Sequence, residues 1–175
     1  MESVEIKEGI KCEFNNNILK CKKEDIEAVR KLFVKGTEIK VENNKLIFIC
    51  ERANRKDIAS IKSTIAHIEN MFKGLNEKFM YKLEICHVHF PMSIKVQSDK
   101  VLVSNFLGEK KSRTAEILPE VEVEVKGNEI IVSSSNIENA GQTAANIERA
   151  TKVRMKDRRI FQDGIFIKEK PGGKL

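Results

Sequence analysis

Apolar and polar residues alternate with a period of two through IKVENNKLIFI (residues 39–49) and again through VEVKGNEIIVS (residues 123–133). That period sends successive side chains to opposite faces of a strand, and Asn-Asn-Lys or Gly-Asn-Glu at the centre supplies a tight turn. Each run is therefore predicted to be a β-hairpin. The two runs are copies of each other: Ile39, Val41, Asn44, Leu46 and Phe48 return 84 positions later (123 against 39) as Val123, Val125, Asn128, Ile130 and Val132. The echo reaches upstream, where IKCEFNNNILK (10–20) matches IKVQSDKVLV (94–103), again two hairpins with polar turns.

Downstream of each copy the period lengthens to that of a helix. In NRKDIASIKSTIAHIENMF, Ile58, Ile61, Ile65, Ile68 and Phe72 fall on one face. Asn54 is placed to cap this helix. Asp57, three positions on, completes a capping-box arrangement that suits the positive helix start, and Gly74 is the expected stop. After Ser133, NIENAGQTAANIERAT sets Ile137, Ala140, Ala144, Ile147 and Ala150 or Thr151 on one face, with Ser135 or Asn136 as cap.

Two copies of sheet plus helix predict an α+β chain of two tandem duplicated lobes, each an antiparallel-rich sheet with one helix packed on it. The boundary is expected near Tyr81–Ile85, which gives lobes 1–81 and 82–175. Residues 24–34 stay open. Ile26, Val29 and Leu32 or Phe33 have helical spacing, whereas their position in the repeat asks for a strand or loop.

Charge separates the two ends of the chain. The formal net charge is +6, and the stretch from Arg149 to Lys174 alone holds nine basic residues against three acids, so everything before it is balanced. Val153, Ile160, Phe161, Ile165, Phe166 and Ile167 are threaded between those charges, which points to a folded, polyanion-facing segment, since disordered tails lack such residues. A second basic spot, Lys110, Lys111 and Arg113, follows Phe106-Leu107-Gly108, where Gly108 permits a tight turn. Lysines offer point charges and arginines a fork for phosphate. The predicted contacts with a phosphate backbone are Lys110, Lys111, Arg113, Lys152, Arg154, Lys156, Arg158, Arg159, Lys168, Lys170 and Lys174.

Reactive chemistry is poorly represented. There is no G-x-x-x-x-G-K-[ST] loop, no G-x-G-x-x-G and no G-x-S-x-G elbow. Four cysteines, Cys12, Cys21, Cys50 and Cys86, are scattered without a C-x-x-C pair, and the first three lie in apolar or alternating stretches where a buried thiol behaves as a small hydrophobe. His87 and His89 would share one face of a strand, but a metal needs three or four converging ligands, and only Cys86 is near. Glu120, Glu122 and Glu124 alternate, so they are expected on one solvent face of a strand, an acidic strip turned away from any polyanion. No apolar run approaches the roughly 20 residues of a membrane span, and no secretory leader is evident. No catalytic residue, metal site, cofactor, membrane or small-molecule substrate is expected, and cytosol or nucleus is the default location. A protein–protein adaptor that binds an acidic partner through the same patch remains the rival reading.

Five strings in order carry a resemblance: NRKDIASIKSTIAHIENMFKG (54–74), FMYK (79–82), HFP (89–91), NFLGEK (105–110) and KVRMKDRRIFQDGIFIKEK (152–170). Together the chain resembles the universal large-subunit ribosomal protein six family, called ribosomal protein nine in eukaryotic nomenclature, in its archaeal and eukaryotic branch. The resemblance implies a structural, non-enzymatic protein of the large ribosomal subunit. Its two α+β lobes would be duplicates, the second docking on large-subunit rRNA near the sarcin–ricin loop and factor-binding region, with neighbouring ribosomal proteins as further partners. By motif match it places Lys110, Lys156, Arg159 and Lys168 nearest that RNA, while Asp163 and Gly164, a strong turn dipeptide, are expected to shape a turn. The chain departs from the family pattern at Phe166, where eukaryotic members usually carry Tyr, at Glu51-Arg52-Ala53 in place of aromatics, and at Asn15-Asn16-Asn17 in the first turn.

Overall fold

A computed structural model describes every residue except 1, 8, 25, 35, 43, 44, 51, 52, 158 and 175. The chain divides into two compact units, Met1–Lys78 and Phe79–Leu175. The division precedes a strand that begins at Phe79, whereas the sequence reading placed it within that strand, after residue 81.

The first unit contains β1 (Glu2–Glu5), β2 (Lys11–Asn15), β3 (Ile18–Lys23), β4 (Ile26–Lys31), β5 (Glu38–Glu42), β6 (Lys45–Ile49) and α1 (Arg55–Asn76). Its strands form two three-stranded sheets, ordered β1-β6-β5 and β2-β3-β4. The β2–β3 turn is made by Asn16 and Asn17, both with positive φ (50° and 61°), the backbone that a two-residue hairpin requires and that Asn tolerates. The Asn43-Asn44 turn proposed between β5 and β6 lies outside the described residues. Residues 26–31 are a strand paired antiparallel with β3, so the repeat outweighed the local helical spacing. Ile26 and Val29 are exposed and form no core stripe that would have favoured a helix.

Helix α1 starts where expected: the backbone N of Asn54 donates to Asp57 Oδ2 at 2.9 Å. It does not stop at Gly74. That glycine is buried inside the last turn beside Leu75, and the helix closes two residues later, where the Glu77 N–H donates to Lys73 O. Ile61, Ile68, Phe72 and Leu75 pack with Leu19, Leu46 and Phe48, while Ile58 at the exposed first turn is 41% accessible and lies outside that core.

The second unit repeats the plan with β7 (Phe79–Cys86), β8 (Ser93–Val96), β9 (Lys100–Ser104), β10 (Arg113–Glu116), β11 (Val121–Lys126), β12 (Glu129–Ser134), α2 (Ile137–Ala150), β13 (Gly164–Lys170) and β14 (Gly173–Lys174). A three-stranded sheet, β10-β9-β8, accompanies a five-stranded one, β11-β12-β7-β13-β14. The hairpin β8–β9 answers β2–β3, and β11–β12 answers β5–β6. All described pairings are antiparallel.

Helix α2 is capped by Asn136, whose side chain accepts from Glu138 N at 2.9 Å. Its small inner residues, Ala140, Thr143 and Ala144, are fully buried and let the helix approach the sheet closely. At Gly141 a Cβ would lie 2.9 Å from the Tyr81 hydroxyl of β7, so no larger residue fits without moving that ring. Glu122 and Glu124 of β11 are exposed as expected. Glu120 is not on the strand: it occupies the preceding turn with φ 64°, and its carbonyl accepts from the buried Ser134 hydroxyl at 2.7 Å.

Candidate nucleic-acid interface

The first basic spot is shaped by the five residues from Asn105 to Glu109. Asn105, Leu107 and Gly108 take positive φ (60°, 50° and 78°), coiling the chain into a short 3-10 turn after β9. Asn105 Nδ2 ties that turn to Pro91 O at 2.9 Å, and Phe106 is driven into the core. Glu109 then holds Arg113 with two hydrogen bonds, from Nε to Oε2 at 2.8 Å and from Nη2 to Oε1 at 2.6 Å. This pairing lowers the Glu109 pKa, although partial burial opposes it.

Arg113 is engaged within the protein. Its guanidinium lies 4.2 Å over the Phe106 ring, and Nη1 donates to the carbonyls of Ala150 (2.9 Å) and Lys152 (3.3 Å). With 26% of its side chain exposed, it acts as a staple between the 109–113 loop and the end of α2, and its fork faces protein rather than a phosphate. Replacing Arg113 with Lys keeps the charge but loses the fork. We expect a loss of roughly 2 kcal/mol, read as a lower melting temperature of the full chain.

The second basic spot begins at the α2 C-terminus. Thr151 is buried and its Oγ1 accepts from Ile165 N at 2.9 Å, which fixes the exit of the helix to the start of β13. Between them, Asp157 organises a turn: its carbonyl accepts from Ile160 and Phe161, and its carboxylate accepts from Arg159 N and pairs with the Arg159 guanidinium at 2.8 Å. That pairing lowers the Asp157 pKa. The Arg159 side chain is nonetheless 89% exposed, so the ion pair is a surface one that a phosphate can replace.

Asp163 and Gly164 do not form a turn. Gly164 opens β13 opposite Cys86, at a place where a Cβ would sit 3.0 Å from the Phe166 ring. Asp163 is 1% exposed. Its Oδ1 accepts from the backbone N–H of Val88 (2.8 Å) and His89 (3.0 Å), and its Oδ2 lies 2.6 Å from His89 Nδ1. Burial alone would raise its pKa, but the hydrogen bonds from His89 and Val88 outweigh burial and hold it at about 2.

The His89 ring stacks on Phe161 at 5.1 Å, and Lys156 Nζ lies 4.3 Å from the centroid of that same ring. A column from Asp163 through His89 and Phe161 to Lys156 thus anchors the basic segment to the loop after β7. His87 and His89 are not strand residues, because β7 ends at Cys86. No group of three or more His, Cys, Asp or Glu side chains among the described residues could hold a metal.

The remaining predicted contacts separate into two sets. Lys110, Lys111, Lys152, Arg154 and Lys156 are exposed and have no ion pair with any described residue. They belong to the two loops that Arg113 joins. Lys168 instead projects from the open face of the five-stranded sheet and bridges Glu84 (3.3 Å) and Glu129 (3.6 Å), so local acids offset its charge. Lys170, further along β13, is exposed. Arg158 and the side chain of Lys174 lie outside the described residues.

A groove of about 990 Å³ runs beside these loops, lined by Cys86, His87, Arg149, Lys152, Phe161 and Phe166 among others. Sequence reasoning passed over the two groups that organise the site, the Asp163–His89 clasp and the Glu109–Arg113 staple. The first pairs residues 74 positions apart, beyond any periodic signal. The second was visible only as an i,i+4 acid–base pair, which on a loop has no fixed meaning.

A family model described as Ribosomal protein L6 matches residues 90–164, which include the NFLGE turn, α2 and the basic segment up to Gly164. Similarity extends well beyond that span. The chain is 44% identical over 171 residues to the large ribosomal subunit protein uL6 of Methanococcus vannielii, covering 98% of this chain and 94% of that protein. It is 42% identical over 170 residues to the large ribosomal subunit protein uL6 of Saccharolobus solfataricus, covering 97% and 94%. The chain belongs to the uL6 family. These relatives are archaeal, in agreement with the branch suggested by the NFLGEK and DGI strings, and they are named as ribosomal proteins rather than enzymes. For a uL6 chain, the part of the motif set with internal work to do is now evident: Asn105, Phe106, Glu109 and Asp163 shape the loops, while Lys110 and Lys111 are exposed.

Proposed function

We propose that the chain, a structural constituent of the large subunit of cytoplasmic ribosomes, uses its second unit to hold folded large-subunit rRNA near the factor-binding and sarcin–ricin region. The contacts are phosphate contacts from Lys110, Lys111, Lys152, Arg154 and Lys156, with Arg159 exchanging Asp157 for a phosphate. One observation carries this reading: the Arg113 staple brings two loops together and leaves Lys110, Lys111, Lys152, Arg154 and Lys156 exposed, with no ion pair to any described residue. RNA helices present phosphates and a shallow minor groove, so a rigid array of cations suits their shape better than their sequence. The acidic strip of Glu122 and Glu124 on β11 faces away from the RNA. Neighbouring ribosomal proteins are further partners. No described helix is long and apolar enough to cross a membrane.

The test is binding of the purified chain to protein-free large-subunit rRNA across a salt series. Six phosphate contacts predict a log–log salt slope of about −4.2 to −5.4, from roughly 0.7 to 0.9 per contact. Salt-independent binding would overturn the proposal. So would retention of the chain in purified particles after RNase digestion, which would point to an acidic protein partner.

A further inference from the structure

The sequence presents Cys12 and Cys21 as isolated residues, and the fold makes them neighbours. They are cross-strand partners in the β2–β3 hairpin, with sulfurs 2.7 Å apart. The two-residue Asn16-Asn17 turn makes Asn15 and Ile18 the first hydrogen-bonded pair. Alternation along the ladder then makes Phe14–Leu19 non-bonded, Glu13–Lys20 bonded and Cys12–Cys21 non-bonded. Non-bonded pairs bring Cα atoms to about 4.5 Å, within the range of about 4.4 to 6.8 Å that a disulfide spans. Both side chains point to the same face, where Cys21 is fully buried against the first core and Cys12 is half-buried at its edge.

We infer that Cys12 and Cys21 are a thiol–disulfide site: a soluble disulfide of the glutathione class oxidises the pair to an intramolecular bond that locks the first hairpin. Cys12 is the accessible sulfur. Its thiolate attacks one sulfur of the oxidant, forming a mixed disulfide and expelling one thiolate. Cys21 then gives up its proton and attacks the Cys12 sulfur, expelling the second thiolate. Two protein thiols become one disulfide, and the oxidant leaves as two thiols. The hydrogen bond between the sulfurs supports this order, because it lowers the pKa of Cys12 while that bond and burial raise the pKa of Cys21. The consequence is mechanical. Strand β3 is the central strand of its sheet and packs against the core, so the bond fixes the register of the hairpin.

The full chain, reduced and then exposed to oxidised glutathione, should lose two hydrogens in intact mass. Tryptic peptides beginning at Cys12 and Cys21 should be linked, and Cys50→Ser or Cys86→Ser should leave that link unchanged. In Cys21→Ser the reaction should stop at a stable glutathione adduct on Cys12. The oxidised chain should melt higher by roughly 10 °C in the transition of the first unit, reversibly with a dithiol. Three results would overturn the inference: full alkylation of both residues after oxidation, linkage through Cys50 or Cys86, or an oxidised form that melts no higher than the reduced one.

Discussion

Asp163→Asn is expected to lower the stability of the second unit at neutral pH by about 2 kcal/mol. A carboxyl held at about 2 instead of its ordinary 3.8 is charged and hydrogen-bonded in the folded state, and that preference contributes about 2 kcal/mol once the partial exposure of His89 is allowed for. Asn retains one acceptor, so the Val88 and His89 N–H groups keep a partner, but the charge that faces the His89 ring is gone. Because the folded pKa lies below the unfolded one, this contribution is complete above about pH 4 and fades as pH falls toward 2. Thermal melts at pH 7 and pH 2.5 check it: the gap between wild type and variant should be wide at pH 7 and shrink to about a third of that at pH 2.5. An equal gap at both values would mean that shape, and not the carboxylate, holds the clasp.

The duplicated architecture was legible because it rests on periodicity. Alternation in 39–49 and 123–133 and the helical spacing of Ile61, Ile68 and Phe72 encode burial directly, and burial is what a sheet or helix face responds to. Where a residue answers to a distant neighbour, the local signal misleads. Asp163-Gly164 has the composition of a turn, yet the carboxylate is buried among the N–H groups of residues 88 and 89, and the glycine gives room to the Phe166 ring. Gly74 has the composition of a helix stop but lies buried in the last turn. Cys12 and Cys21 lack any sequence motif, because a hairpin pairs positions whose separation depends on the turn and not on a fixed spacing. Charge clustering pointed to the two loops but could not sort their cations. Arg113 and Lys168 are both cations near the motif, and only the placement of Glu109, Glu84 and Glu129 shows that protein acids already hold them.

That sorting sets up the largest effect expected on binding. Replacing Lys152, Arg154 and Lys156 together with Ala should weaken rRNA binding by roughly 250-fold at about 0.1 M salt. The figure follows from counterion release: about 0.8 in log–log slope per contact, summed over three contacts and one decade of salt below 1 M, gives about two and a half decades. The slope itself should become shallower by about 2 to 2.5, which separates lost phosphate contacts from a general loss of fit. The fold should survive, since all three side chains are exposed and none makes an ion pair with a described residue, Lys156 lying over the Phe161 ring. Lys168→Ala is the internal control. Its charge is already shared with Glu84 and Glu129, so affinity should change by less than about twofold, in line with the small worth of exposed ion pairs. If Lys168→Ala weakened binding as strongly as the triple replacement, the interface would extend across the open face of the five-stranded sheet, and the division between free and neutralised cations would be wrong.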